Sequence, residues 1–155
     1  MRLITELARD FPQFTFAAAA KPHWSPRSQT IFFEDINSDE GSWNILHELG
    51  HAMLGHTDYS LDVELVRKEA AAWDYAQNLV GQYAATPIPE LHIQASLDTY
   101  RDWLYQRSLC PRCKCTGLQQ DSCQYSCFNC GAHWQVSTAR FCRAYRLQIK
   151  EALPI

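Results

Sequence analysis

The spacing of apolar residues along the chain predicts four helices. Their predicted bounds are residues 2–9, about 42–55, about 61–84 and about 89–107. Asn37, Ser38 and Asp39 are candidates for the N-terminal cap of the second helix, and Gly55 is expected to end it. In the third helix the apolar residues form one stripe about 100° wide. Its members are Leu65, Ala72, Ala76, Leu79, Val80 and Tyr83.

Two strands are predicted between the first and second helices. Residues 29–34 (QTIFFE) combine β-branched and aromatic side chains, and residues 14–19 form an alanine-rich strand pattern. Pro22, Ser25 and Pro26 predict a turn between these strands. The elements together predict an α+β fold with a small sheet and several helices.

Charge and cysteine are distributed unevenly along an otherwise ordinary composition. The 155 residues are 46% hydrophobic and 20% charged with a net charge of −3, which excludes a disordered or collagen-like chain. Residues 1–100 hold 6 basic and 14 acidic side chains, a net of −8, whereas residues 101–155 hold 8 and 3, a net of +5. All seven cysteines lie within residues 110–142. The predicted domains are a main domain at 1–106, a cysteine-rich module at 107–139 and a basic tail at 140–155.

The N-terminus and the apolar runs bear on the compartment. The first 14 residues mix charges into an amphipathic pattern and lack the apolar stretch of a signal peptide. No apolar run approaches the roughly 20 residues needed to span a bilayer. We therefore expect a cytoplasmic protein without membrane contact, in which thiols stay reduced and are free to bind zinc.

Residues 47–51 read His-Glu-Leu-Gly-His, which is the HExxH pattern of zinc peptidases. On a helix, His47 and His51 lie only about 40° apart around the axis, so both imidazoles can reach one ion. Glu48 is offset from both histidines and can act as general base on a water at that ion. The alternative is a surface helix with two solvated histidines.

A catalytic zinc site of this kind needs a third protein ligand and one open position. Glu69 lies inside the apolar stripe, where a carboxylate needs a partner such as a metal ion or an arginine. Glu64 points about 100° away from the stripe centre and is the weaker candidate. His56, five residues after His51, is either a rival ligand or a residue packed behind the site. The sequence does not choose among the groups that could stabilise an oxyanion, which are Tyr59, Tyr75, His92 and Tyr100.

The segments HELGHAMLGH and EAAAWDYAQNLV together resemble the ImmA/IrrE family of zinc metallopeptidases, over roughly residues 30–85. The resemblance implies His47, His51 and Glu69 as zinc ligands and Glu48 as the catalytic base. It also implies a minimal zincin-like domain in which an edge strand, here QTIFFE, holds extended substrate. Because members of the family act on repressors and are often carried by phages and mobile elements, it implies an endopeptidase for a specific protein such as a repressor.

Cys110-Pro-Arg-Cys113 and Cys127-Phe-Asn-Cys130 are two CxxC knuckles separated by 13 residues. Four thiolates at this spacing suit a closed tetrahedral zinc site of the structural type. Gly131 permits the tight turn that a knuckle requires. The pattern predicts a zinc ribbon, and a redox or disulfide cluster is the alternative.

Cys115, Cys123 and Cys142 remain outside this predicted ligand set. The runs CPRCKC and CQYSCFNC also permit Cys115 or Cys123 to replace a knuckle ligand. The favoured interpretation is that all three are free buried thiols.

The cysteine-rich module and the tail also combine basic and aromatic residues, as nucleic-acid-binding surfaces do. These residues are Arg107, Arg112, Lys114, Arg140, Arg143, Arg146 and Lys150, with Tyr125, Phe128, Trp134, Phe141 and Tyr145 among them. Nucleic-acid contact is one interpretation, and a solvated face or a dock for the acidic half of the chain is the other.

Three functions are compatible with these patterns. The first is a cytoplasmic zinc endopeptidase with one catalytic and one structural zinc. The second is a SprT-like protease acting on DNA-associated proteins, which takes a histidine as third ligand, although this chain has none between His56 and His92. The third is a non-catalytic zinc-binding module that contacts nucleic acid or protein.

Overall fold

The computed structural model describes residues 2–84, 86–138 and 146–149 of the chain. Within them the fold is of mixed α+β class with four helices, as the sequence predicts, and the strands form two small sheets. The helices are α1 (Arg2–Asp10), α2 (Asp39–Met53), α3 (Asp62–Tyr83) and α4 (Glu90–Ser108). The strands are β1 (Thr15–Ala18), β2 (His23–Ser25), β3 (Thr30–Phe33), β4 (Leu118–Gln119), β5 (Gln124–Ser126), β6 (His133–Val136) and β7 (Arg146–Ile149). None of the four helices has the length and apolar character needed to cross a membrane.

The chain divides into two compact units, each drawn from two stretches of sequence. Unit 1 comprises the described residues of Met1–Asp58 and Arg67–Ala95. Unit 2 comprises the described residues of Tyr59–Val66 and Ser96–Ile155. Helices α3 and α4 contribute residues to both units. The predicted division into consecutive segments at residue 106 stays a prediction.

Unit 1 contains a three-stranded sheet in the order β1-β3-β2. Strand β3 pairs parallel with β1 and antiparallel with β2, so both of its edges are occupied. The expectation that the QTIFFE segment forms an edge strand is therefore wrong, and β2 and β1 are the edges. Strand β2 lies within the segment that the sequence predicts to be a turn. Its flanking residues Pro22 and Pro26 indicate a turn, but prolines are also tolerated beside a short strand at a sheet edge.

Helix α2 begins at a side-chain cap and packs on this sheet by its apolar face. The hydroxyl oxygen of Ser38 accepts a hydrogen bond from the Gly41 N–H at 3.0 Å, which confirms one of the predicted caps. Ile45 and Leu49 of α2 are fully buried, as is Ile31 of β3. Burial of each such side chain contributes about 1.5–3 kcal/mol, so α2 is held in one orientation about its axis.

Unit 2 contains an antiparallel sheet in the order β4-β5-β6-β7. Residues of β6 alternate between exposed and buried, and Trp134 and Val136 point into a core with Tyr125. Gly117 packs closely against the Trp134 ring of that core. A Cβ built on Gly117 would come within 2.2 Å of this ring. Strand β7 lies in the segment that the sequence predicts to be a basic tail.

Unit 2 contains a buried ion pair. The Arg107 guanidinium donates to both carboxylate oxygens of Asp62, at 2.5 and 3.3 Å, and the two residues are 2% and 1% exposed. The Tyr125 hydroxyl donates to the same carboxylate at 2.6 Å, and the Trp134 ring N–H donates to the Arg107 carbonyl at 2.9 Å. The expectation that Arg107, Tyr125 and Trp134 belong to a basic and aromatic surface is therefore wrong, since all three are buried.

The structure describes four of the other basic and aromatic residues of that predicted surface. Arg112, Lys114 and Phe128 are exposed, and Phe128 is 77% exposed. Arg146 is half-buried and donates to the Leu109 carbonyl at 2.6 Å. The other predicted members lie outside the described residues, namely Arg140, Phe141, Arg143, Tyr145 and Lys150.

Candidate functional site

Helices α2 and α3 approach closely within unit 1 at Gly50. A Cβ built on Gly50 would lie 2.6 Å from the carbonyl oxygen of Ala72, closer than real Cβ atoms come. The glycine of the HELGH segment therefore allows the two backbones to meet. Glu69 precedes Ala72 by about one turn, and the contact brings its carboxylate to the two histidines of α2.

We expect Gly50→Ala to weaken metal binding at this site, because the new methyl group would force α3 away from α2. Overpacking of this kind costs about 1–3 kcal/mol, and the melting temperature should fall accordingly. Zinc content after dialysis and thermal unfolding would be measured together. The control is Gly81→Ala in α3, where a Cβ meets nothing within 4 Å, and metal content should not change there. Equal metal retention in both variants would contradict the importance of the close approach.

Three ligand-type atoms converge next to this contact. His47 Nε2 lies 3.1 Å from Glu69 Oε2 and 3.1 Å from His51 Nε2, and the remaining pair is 3.5 Å apart. His47 and Glu69 are buried, and the His51 side chain is 12% exposed. Ligands of a tetrahedral zinc ion at bond lengths of 2.0–2.1 Å are about 3.3 Å apart, and two histidines with one glutamate are a known catalytic donor set. The three predicted residues therefore fit a metal ion.

The electrostatics of Glu69 agree with a carboxylate held in its charged form. Burial opposes ionisation, but hydrogen bonds and charge from His47 and His51 lower the pKa of the Glu69 carboxyl well below its ordinary range. Its described ion-pair partners are these histidines rather than an arginine. A charged carboxylate with lone pairs facing two imidazoles is prepared to accept a cation.

Glu48 lies beside the converging atoms and at the edge strand. Burial raises the pKa of the Glu48 carboxyl, while charge on His47 and His51 and a hydrogen bond from the backbone N–H of Trp24 oppose that rise. Because Trp24 is the middle residue of β2, this bond joins the candidate base to an edge of the sheet. A carboxylate with a raised pKa is suited to accept and return a proton near neutral pH.

His56 lies behind His51 and outside the converging set. His56 Nδ1 is 2.8 Å from His51 Nδ1, so it contacts the far side of the ring from the Nε2 that faces Glu69. Burial, together with the neighbouring His51, lowers the pKa of His56 to about 4. Of the two possibilities raised by the sequence, the structure places His56 as a residue packed behind the site.

Trp73 is a residue of the site that the sequence analysis missed. Its ring stacks on the His47 imidazole, with centroids 4.2 Å apart and planes 27° from parallel. Trp73 follows Glu69 by four residues, so the two share one face of α3. That spacing was the available signal, and the stacking restricts rotation of the His47 ring.

The remaining candidates from the sequence have other contacts. The Glu64 carboxylate accepts from the backbone N–H groups of Ser60 and Leu61, which caps the start of α3. The His92 ring packs edge-on against Trp73, with centroids 5.4 Å apart, and also contacts Trp43. Tyr59 packs on the ring of Trp103, whereas Tyr75 and Tyr100 are half-buried.

Four thiols converge in unit 2, as the two knuckles predict. Cys110 Sγ lies 3.6 Å from Cys130 Sγ, and Cys113 Sγ lies 3.5 Å from Cys127 Sγ. All four sulfur atoms lie within 4.8 Å of one another. Thiolates bound to one zinc ion at 2.3 Å would be about 3.8 Å apart, so the group fits a closed tetrahedral site.

The thiols influence one another's ionisation. A side-chain hydrogen bond from Asn129 lowers the pKa of Cys113 to about 5. A hydrogen bond from the Ala132 N–H lowers the pKa of Cys130, but burial and the three neighbouring thiols outweigh it and raise that pKa to about 12. Four thiolates at these distances repel one another, and a bound cation is the natural compensation.

The two knuckles share one backbone geometry. Gly131 has φ +70° and donates to the Cys127 carbonyl at 2.9 Å, which fits the predicted tight turn. Lys114 follows the first knuckle in the same way, with φ +64° and a 3.1 Å bond to the Cys110 carbonyl. A non-glycine residue in this region costs roughly 1–2 kcal/mol, so the fold tolerates strain at Lys114 to close the first knuckle.

The spare cysteines differ from the buried thiols that the sequence predicts. Cys115 is exposed and Cys123 is half-buried, so the prediction is wrong for Cys115. Neither belongs to the four-thiol group. Cys142 lies outside the described residues.

Comparison of this chain with models of protein families, with curated proteins and with solved structures gives no match.

Proposed function

We propose that this protein is a zinc-dependent endopeptidase that cleaves a specific protein substrate. The observation that supports the proposal is the convergence of His47, His51 and Glu69 around one point, with Glu48 beside them. Two histidines and a glutamate leave one tetrahedral position open, as catalytic zinc sites do. A bound zinc ion would lower the pKa of a coordinated water to about 7 and polarise a substrate carbonyl.

Glu48 is the proposed general base. Its carboxylate takes a proton from the attacking water and passes that proton to the amide nitrogen as the peptide bond breaks. The products are a new carboxylic acid and a new amine, which ionise to a carboxylate and an ammonium ion, so atoms and charge balance without another reactant. Burial at Glu48 favours this role because it raises the pKa toward the value at which a carboxyl group both accepts and returns protons.

Strand β2 is the proposed partner of extended substrate. It forms one edge of the sheet in unit 1, and its central residue, Trp24, hydrogen bonds to Glu48. Peptides commonly bind by adding a strand to a sheet edge, where backbone groups supply affinity. We therefore propose that β2, rather than the QTIFFE strand, holds substrate beside the scissile bond.

The proposal extends to the fold, the family and the substrate. We propose a minimal zincin-like domain, membership of the ImmA/IrrE family, and a repressor from a phage or mobile element as the substrate. A glutamate from the next helix favours this family over a SprT-like protease, which takes a histidine as third ligand. The four-thiol group is the proposed structural zinc site, and a cytoplasmic location fits its need for reduced thiols.

The test combines zinc content with cleavage of a proteome-derived peptide library, read by mass spectrometry of new termini. The wild type should bind two zinc ions and cleave a restricted set of bonds. Glu69→Ala should bind one zinc ion and lose cleavage, because it removes a ligand. Asp74→Asn, at an exposed position of the same helix, should retain both zinc ions and the cleavage activity.

Two outcomes would count against the proposal. If Glu69→Ala retained both zinc ions, the third ligand would be wrong. If the wild type held two zinc ions and cleaved nothing in the library, the non-catalytic alternative would be favoured.

A further inference from the structure

We propose that His56 is a positioning residue that fixes the proton and the orientation of His51 at the metal site. The observation is the 2.8 Å contact between the Nδ1 atoms of the two rings. This inference rests on the metal site of the proposed function but not on peptide cleavage.

The contact determines which nitrogen bears each proton. Two imidazole nitrogens at 2.8 Å must be one donor and one acceptor. His51 Nε2 faces Glu69 and His47, where a metal ion requires its lone pair. The single proton of neutral His51 therefore lies on Nδ1 and is donated to His56 Nδ1, and the proton of His56 lies on Nε2. Such a hydrogen bond behind a ligand fixes the ligand's tautomer and ring orientation.

The loop that carries His56 is held by several hydrogen bonds within unit 1. Gly55 has φ +64°, which turns the chain back toward α2 at its C-terminal end. The His56 N–H donates to the His51 carbonyl at 2.9 Å, and the Trp24 ring N–H donates to the His56 carbonyl at 3.0 Å. These bonds hold the His56 backbone at the end of α2, beside His51, which is what a positioning role requires.

Lys68 holds the two residues that follow His56 in the chain. Its ammonium group donates to the carbonyl oxygens of Thr57 and Asp58, at 3.1 and 2.8 Å. Lys68 is adjacent to Glu69 on α3, so the same helix that presents the third candidate ligand also holds the His56 loop. By contrast, His47 Nδ1 is buried with no hydrogen-bond partner among the described residues, so His51 is the histidine with support behind its ring.

The experiment measures zinc affinity of the full chain by competition with a chromophoric chelator. His56→Ala should weaken the zinc ion at His51 by about 10–100-fold, the usual effect of losing such a partner. His56→Asn should restore most of the affinity, because its Oδ1 occupies nearly the position of Nδ1 and can accept the same proton. Thr57→Ala, at the next and exposed loop position, is the control and should bind zinc like the wild type.

A second readout follows the proton itself. In the zinc-bound wild type, nitrogen-15 spectra should show His51 protonated at Nδ1 and His56 protonated at Nε2. His56→Ala binding zinc as tightly as the wild type would overturn the inference. So would His56→Asn being as weak as His56→Ala, because the effect would then not pass through an acceptor at Nδ1.

The outcomes separate this inference from the proposed function. A wild type that binds only the zinc ion of the four-thiol group would refute the metal site and the role of His56 together. A wild type that binds two zinc ions but cleaves no peptide would refute the endopeptidase alone, and the affinities of the His56 variants would still decide the positioning role.

Discussion

Replacing Glu48 with glutamine should abolish peptide cleavage while both metal ions stay bound. Glutamine keeps the size of the side chain but cannot take a proton from water, and loss of a general base costs about 10²–10⁴ in rate. Glu48 is not among the three converging atoms, so zinc content should remain at two per chain. The measurement is the rate of appearance of new termini from the peptide library, with zinc quantified in the same samples.

The matched control for this prediction is Glu40→Gln. Glu40 lies on the same helix, in its first turn, and is exposed. The Glu40→Gln variant should cleave at the wild-type rate, since Glu40 is exposed and does not belong to the converging group. Cleavage by Glu48→Gln at the rate of this control would refute the assignment of the base, whatever the metal content.

Replacing Cys127 with serine should unfold the sheet of unit 2, β4 to β7. Zinc at four-thiolate sites supplies an apparent binding free energy of about 10–16 kcal/mol, which is folding free energy in small modules. Cys127 is buried next to Tyr125 and Trp134, so losing the ion would also expose the aromatic core. We expect loss of one zinc ion, loss of near-ultraviolet circular dichroism and rapid proteolysis between residues 109 and 149.

Cys123→Ser is the control for the cysteine prediction. Cys123 belongs to the same sheet region but is outside the four-thiol group. It should retain two zinc ions and the wild-type melting temperature. If Cys127→Ser kept both zinc ions and its near-ultraviolet signal, the four-thiol group would not be a structural metal site.

Local sequence patterns were sufficient to predict the helices and the residues of metal-ligand type. Each helix begins and ends within three residues of its predicted bounds, because amphipathic spacing and caps such as Ser38 act over a few residues. The convergence of His47 with His51 was also predictable, since helical geometry alone places residues four apart on one face.

Sheet order and burial of charge were not predictable in this way. The family resemblance implies an edge position for the QTIFFE segment, but strand pairing depends on partners distant in sequence, and β2 takes the position beside Glu48. The sequence groups Arg107 with the basic residues of a possible surface, yet Asp62, 45 residues earlier, pairs with it in the interior. A charge count along the sequence cannot distinguish a solvated arginine from a paired one.

The sequence by itself determined which residue types stand at which spacing: HELGH on one helix, Glu69 in an apolar stripe and two CxxC knuckles. Only the tertiary structure decided their relations in space. The close approach of α2 and α3 at Gly50 brings Glu69 to the histidines, and the turn at Gly55 places His56 behind His51 rather than in the converging set. The physical reason is that hydrogen-bonding and metal-ligand geometry depend on ångström-scale distances, which helix packing and loop closure set and sequence spacing alone does not.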